Sequence, residues 1–279
     1  MDFRDENGRV RPHFKWLPIL LAGLFILFQY FSSQKFTNPV TGESHRVGMS
    51  TQQEAALGLQ SYRQILSQEQ VISSGPQVEL VTRVARRLAT AVGEDGKGFQ
   101  WEVSVLNDPQ QNAFCLPGGK ICVYTGILPI AKTEGGLAAV MGHEMSHAIA
   151  RHGSQRILQQ QMTQTAMMGL QGSMSDMSYE QQRTLMGLLG AGAQYGLILP
   201  FSREHESEAD YMGTMYMARA GYDPHEAVEL WKRMNSASAP GQQPPQYAST
   251  HPSHGTRIRQ LEEWMPKFMA EYEKAPKQQ

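Results

Sequence analysis

GGLAAVMGHEMSHAIARH, residues 135–152, decides how the rest of the chain is read. At about 100° per residue, Leu137, Val140, Met141, Met145 and Ala148 gather on one side of a helix. His143 and His147 are four apart, so they stack on one face, well round from that apolar side. They are therefore not simply core residues. Imidazole nitrogens on consecutive turns reach one ion. Glu144 projects about 100° away from His143, so it joins them poorly as a ligand but reaches a water beside that ion. A bare H-E-x-x-H also arises by chance in an apolar helix, so a second stretch has to supply what is missing.

That stretch is SREHESEADYMG, residues 202–213. Ser202 caps a helix running to roughly Ala220, with Glu204 and Glu206 near its positive end. Glu206 and Asp210 are four apart and share a face, whereas Glu204 and Glu208 lie on others. Taken alone, these acids read as a solvated face paired with Arg203. Beside the first motif, Glu206 supplies an oxygen ligand, giving two histidines, one carboxylate and an open position. Asp210 is placed to accept the free N–H of a ligand histidine. The predicted metal set is His143, His147 and Glu206, holding one zinc ion per chain, with Glu144 as general base. His251, His254 and Arg257, from one loop, are candidate donors to a developing oxyanion. Their plainer reading is solvated histidines and an arginine paired with helix acids. His152 reads as a supporting or surface residue.

The 279 residues fit one catalytic domain with an anchor, and a net charge of −1 gives no general attraction to nucleic acid. Residues 16–31, WLPILLAGLFILFQYF, carry no charge, end in interfacial Trp16 and Tyr30, and follow Arg4, Arg9, Arg11 and Lys15. The run is slightly short of the roughly 20 residues of a bilayer span. It reads as a transmembrane signal anchor, with a cytoplasmic tail at 1–15 and export of everything beyond. A cleaved signal peptide and a buried helix are the alternatives. The expected location is the inner membrane, single-pass, with the catalytic part in the periplasm or another extracytoplasmic space. A linker at 32–49, a catalytic domain at 50–273 and a tail at 274–279 complete the division.

The fold class is α+β, mainly helical with a small sheet. Helices are predicted from a cap at Ser50 or Thr51, over 76–92 with Val78, Val81, Val84, Ala85, Leu88 and Val92 inward, after Pro224, and at the C-terminus with a bend near Pro266. The Met- and Gly-rich 153–199 region suggests two or three irregular helices, with a core face or a membrane- or substrate-facing one. A strand at 100–107 precedes a hairpin at 112–127. A two-residue Gly118-Gly119 turn would set Cys115 opposite Cys122, leaving a cross-strand disulfide and two free thiols both open.

NAFCLPGGKICVYTGIL, GHEMSHAIARH, SREHESEAD and STHPSHGTRI together resemble the zinc metallopeptidase family that includes HtpX, the CAAX prenyl proteases, the mitochondrial OMA protease, BepA and LoiP. The resemblance spans roughly residues 50–265. It implies a gluzincin-type fold, His143, His147 and Glu206 as zinc ligands, Glu144 as base, Asp210 as the second acidic residue, and His251 as a histidine that reaches zinc in some members. Cys115 and Cys122 stand where apolar residues are usual. The resemblance implies a membrane-anchored endopeptidase acting on unfolded or extended envelope proteins. A chaperone-like binder with its zinc plugged by His251, and a zinc hydrolase of non-peptide amides, are the rival readings. A hairpin edge able to pair with an extended peptide argues against the last.

Overall fold

A computed structural model describes residues 15–175, 177, 178, 180, 202–237, 247, 251 and 255–276. The apolar 185–199 stretch and His254 lie outside the described residues. The chain forms two compact units. One comprises Met1–Lys35, Arg46–Gly48 and Gln155–Leu199; the larger comprises Phe36–His45, Met49–Ser154 and Pro200–Gln279. In chain order the elements are α1 (Trp16–Ser32), β1 (Gln34–Thr37), β2 (Ser44–Val47), α2 (Thr51–Gln68), β3 (Val71–Ile72), α3 (Pro76–Val92), β4 (Glu102–Leu106), β5 (Ala113–Leu116) and β6 (Lys120–Tyr124). They continue with α4 (Leu128–Ala131), α5 (Glu134–Ile149), α6 (His152–Ser173), α7 (Arg203–Arg219), α8 (His225–Ala237) and α9 (Gly255–Tyr272).

In the smaller unit α1 has no buried residue, and Leu17, Leu20, Leu24, Phe28 and Phe31 are each more than half exposed. Lys15 N donates to Ser173 O at 3.0 Å, and Thr165 Oγ1 donates to Gln29 Oε1 at 3.4 Å. With 17 residues α1 is about 25 Å long. Among the described residues no helix is long and apolar enough to cross a membrane. Up to Ser173 the region beyond residue 153 is one continuous helix.

The larger unit is helical around one mixed sheet of order β3-β4-β6-β5, in which β4 and β6 are parallel and β5 is an edge. Ser50 and Gln53 form a reciprocal cap on α2. On α3, Val81, Val84, Ala85, Leu88 and Val92 are buried, the stripe that the 3.6-residue period dictates. The hairpin corrects the two-residue turn. Leu116 pairs with Lys120 and Cys115 with Ile121, so the loop is Pro117-Gly118-Gly119. Both glycines have positive φ, 82° and 90°. One residue of register moves a side chain to the other face of a sheet. Cys115 therefore packs on the main core, while Cys122 sits with Tyr62, Leu106 and Tyr124. Both are free thiols, and the disulfide alternative falls.

Thr133 caps α5 by accepting from Gly136 N at 2.9 Å. Every residue from Gly136 to Ile149 is buried. The face carrying His143 and His147 is thus covered rather than open to water, and it is covered by α7. Two glycines permit this. A Cβ on Gly142 would lie 2.8 Å from Gly213 O, and one on Gly213 would lie 2.6 Å from His143 N. The two helices touch backbone to backbone, one residue before His143 and three after Asp210. α9 continues through Pro266 as a single helix against α7 and α8.

Candidate metal centre

The close crossing of α5 and α7 brings the two motifs together. His143 Nε2 and His147 Nε2 are 3.0 Å apart. Glu206 Oε2 lies 3.4 Å from His143 Nε2, and its Oε1 3.5 Å from His147 Nε2. His251 adds a fourth atom: its Nδ1 is 3.2 Å from His143 Nε2 and 3.0 Å from Glu206 Oε1. Four ligands at about 2.0–2.1 Å on a tetrahedron have edges of about 3.3 Å. The quoted contacts lie close to that edge, each of the four residues offers an atom within 4.8 Å of the others, and all four are buried.

Charge gives the same answer. Glu144, Glu206 and Asp210 are buried carboxylates, and among the described residues Arg257 is the buried guanidinium paired with Glu206 and Asp210. A divalent cation neutralises the excess of two negative charges. Without it, His143 takes on part of that role. Burial opposes its charged form, but Asp210 and Glu206 outweigh burial and hold its pKa up at about 9. Burial and the neighbouring His143 charge push His147 well below the ordinary imidazole range. Burial also opposes ionisation of Glu206, yet His143 and His251 keep it well below the carboxylate range. Zinc uptake must therefore displace a proton at His143. Glu144 Oε1 is buried, has no close hydrogen-bond partner among the described residues, and faces His251 Nε2 at 3.4 Å. The donor set, its spacing, its charge and this carboxylate oxygen all fit zinc.

Asp210 Oδ1 sits 3.0 Å from His143 Nδ1. Arg257 donates to both Asp210 oxygens at 2.6 Å and to Glu206 Oε2 at 2.8 Å, with its guanidinium 3.7 Å over the Trp231 ring. Its donors are thus spent on holding the two acids, the plainer of its two sequence readings. Three contributors carry no local sequence signal. Tyr247 stacks on His251 with ring centres 4.7 Å apart, and its N donates to Gln111 O beside β5. Trp231 supplies the surface under Arg257. Glu208 lies on another face of its helix from Glu206, and its carboxylate receives His152 Nε2 at 2.8 Å. His152 in turn lies with its Nδ1 2.8 Å from His147 Nδ1. Burial keeps His152 below the ordinary imidazole range despite Glu208.

A buried H-E-x-x-H helix crossed by an E-x-x-x-D helix, on an α+β core with an edge strand alongside, defines a metallopeptidase of the zinc-dependent, H-E-x-x-H class. The model of peptidase family M48 matches residues 76–265, and the chain belongs to that family. It is similar to the mitochondrial metalloendopeptidase OMA1 of Schizosaccharomyces pombe, 35% identical over 264 residues that cover 93% of this chain and 74% of the relative. The Saccharomyces cerevisiae protein of the same name is 31% identical over 293 residues, covering 97% and 78%. The beta-barrel assembly-enhancing protease of Yersinia pestis is 28% identical over 223 residues, covering 79% and 45%. The chain is a zinc metalloendopeptidase, and its substrates are proteins.

Proposed function

We propose that the chain cleaves unfolded or extended proteins at a zinc held by His143, His147 and Glu206, within a catalytic domain at residues 50–273. When bound there, zinc supplies Lewis acidity to the scissile carbonyl and acidifies the attacking water. Glu144 takes that water's proton and passes it to the leaving amine. Asp210 holds the Nδ1 hydrogen of His143, and Arg257 keeps Asp210 and Glu206 ionised and fixed. The extended substrate pairs with the edge of β5, whose Cys115 feels the charge of Glu144.

The observation that carries this reading is the ring of His251. Its Nδ1 lies 3.2 Å from His143 Nε2 and 3.0 Å from Glu206 Oε1, where it would fill a fourth ligand position, while its Nε2 faces Glu144 Oε1 at 3.4 Å. It stands where water and carbonyl must enter, between the metal position and the base. The described form is therefore a closed one, and His251 has to withdraw for turnover. Exchanging Glu144 for Gln should abolish casein cleavage while one zinc per chain is retained. Cleavage persisting in that variant would remove Glu144 from the mechanism and restore the zinc-plugged binder. Exchanging His251 for Ala should raise basal cleavage; a fall to near zero would make it a transition-state donor instead.

We further propose that α1 anchors the chain to a membrane, with the catalytic domain on the extracytoplasmic side and envelope proteins as substrates. Its support is the exposure of α1's apolar side chains and the basic residues before it. Its short span is met by local thinning of the bilayer and snorkelling of Lys15. Resistance to carbonate extraction, lost on deleting residues 1–31, is the expected result.

A further inference from the structure

We infer that His152 and Glu208 form a hydrogen-bond relay that fixes the tautomer of His147, making them positioning residues for the metal centre; the inference rests on the zinc reading above. His143 Nδ1 has Asp210 Oδ1 at 3.0 Å for this. His147 Nδ1 and His152 Nδ1 are 2.8 Å apart, and His152 Nε2 is 2.8 Å from Glu208 Oε2. Only one arrangement of hydrogens leaves His147 Nε2 free to bind a cation. His147 carries its hydrogen on Nδ1 and donates to His152 Nδ1; His152 carries its hydrogen on Nε2 and donates to Glu208. An ionised Glu208 is the acceptor that ends the chain.

Glu208 is itself held. Its Oε1 accepts from Asn38 Nδ2 and Thr41 Oγ1, each at 2.7 Å, and His45 Nε2 lies 3.9 Å from its Oε2. His205 stacks on His152 with ring centres 4.3 Å apart. The backbone is built to deliver His152. Five residues along a regular helix would turn it about 140° away from His147. Between α5 and α6, however, Arg151 adopts φ 58°, a conformation uncommon for a residue with a side chain. The Arg151 side chain secures that reversal by donating to both oxygens of Glu54, at 3.1 and 3.0 Å, and to Met49 O at 2.6 Å.

The test is zinc affinity by chelator competition on the full chain, with imidazole ¹⁵N spectra. His152→Phe should weaken zinc binding roughly 10- to 100-fold. His152→Asn, whose Oδ1 can stand where Nδ1 stood, should recover most of that loss, and Glu208→Gln should fall between. The wild-type spectra should show hydrogen on His147 Nδ1 and His152 Nε2. Hydrogen on His152 Nδ1 overturns the relay, a readout that stands even if His152→Phe fails to fold. A folded His152→Phe chain with unchanged affinity also overturns it. A wild-type chain that binds no zinc overturns the metal centre instead.

Discussion

Changing Gly213 to Ala should destabilise this protein, although the same change in an isolated helix stabilises it by about 1 kcal/mol. The new Cβ would lie 2.6 Å from His143 N, 2.8 Å from Gly142 C and 2.9 Å from His143 Cα. All three are backbone atoms of a buried helix, so no flexible side chain can give way. Restoring an ordinary contact of 3.4 Å requires α5 and α7 to part by about 0.8 Å. That separation acts directly on the distances from Glu206 to His143 and His147, now 3.4 and 3.5 Å. They would stretch to about 4.2 Å, beyond the edge of a zinc tetrahedron, whose bonds tolerate about 0.2 Å. Overpacking of this kind costs about 1–3 kcal/mol, so after the propensity gain a net loss of up to about 2 kcal/mol remains. At about 2–4 °C per kcal/mol for a chain of this size, Tm should fall by up to about 8 °C. Zinc affinity should drop more than tenfold. Gly153→Ala is the control, since a Cβ there meets nothing within 4 Å. Differential scanning fluorimetry with chelator competition reads both quantities. A Gly213→Ala protein that melts no lower than wild type and keeps its zinc refutes the backbone-contact account of the site.

The other expectations are shorter. Stripping zinc should lower Tm, because free metal at 100 times its Kd contributes about 2.7 kcal/mol; identical melting with and without chelator would count against the centre. Replacing Arg257 by Met leaves Asp210 and Glu206 buried against one another, so a loss of about 3–5 kcal/mol is expected in denaturant titrations, and a loss below 1 kcal/mol would show that the fork is dispensable. Glu134, at the start of α5, accepts from Arg83 at 2.8 Å and from Tyr222 at 2.8 Å, and Arg83 leads the groups holding its pKa down. Its contribution is present at neutral pH and fades as pH falls through the lowered folded pKa. Glu134→Gln should therefore narrow the stability gap between pH 7 and acid; an unchanged pH profile would remove it from the acid limb.

Local patterns carried much of the fold. The α3 stripe and the Ser50 and Ser202 caps are read from a few neighbouring residues and follow from helix period and capping chemistry, whereas β4, though a strand as its alternation predicts, buries its last two residues side by side. The hairpin register was not legible. Gly118-Gly119 satisfies a two-residue turn as well as the three-residue loop that forms, and the choice between them decides whether Cys115 and Cys122 share a face. The burial of α5 was only half legible. Its sequence separates an apolar side from a histidine side, but α7, α3, α8 and β5 together enclose it, and a helix buried all round loses the contrast that periodicity measures.

The site divides along the same line. His143, Glu144 and His147 are one helical turn, and Glu206 with Asp210 another, so spacing alone puts each group on one face. What joins the two turns is Gly142 against Gly213, and a glycine in a helix usually signals weakness rather than contact. His152, read as a supporting or surface residue, is a buried neighbour of His147, and Glu208, read as lying on another face, stays outside the four-residue cluster. What spacing does not show is that the two meet, because Arg151 turns the backbone out of the helix and brings His152 back to His147. The carboxylate facing away from the first coordination shell thus meets a histidine that a straight helix would have sent elsewhere. Helical spacing groups His143 with His147, and Glu206 with Asp210, because each pair sits within one helix; the side chains around them come from where helices stop and cross.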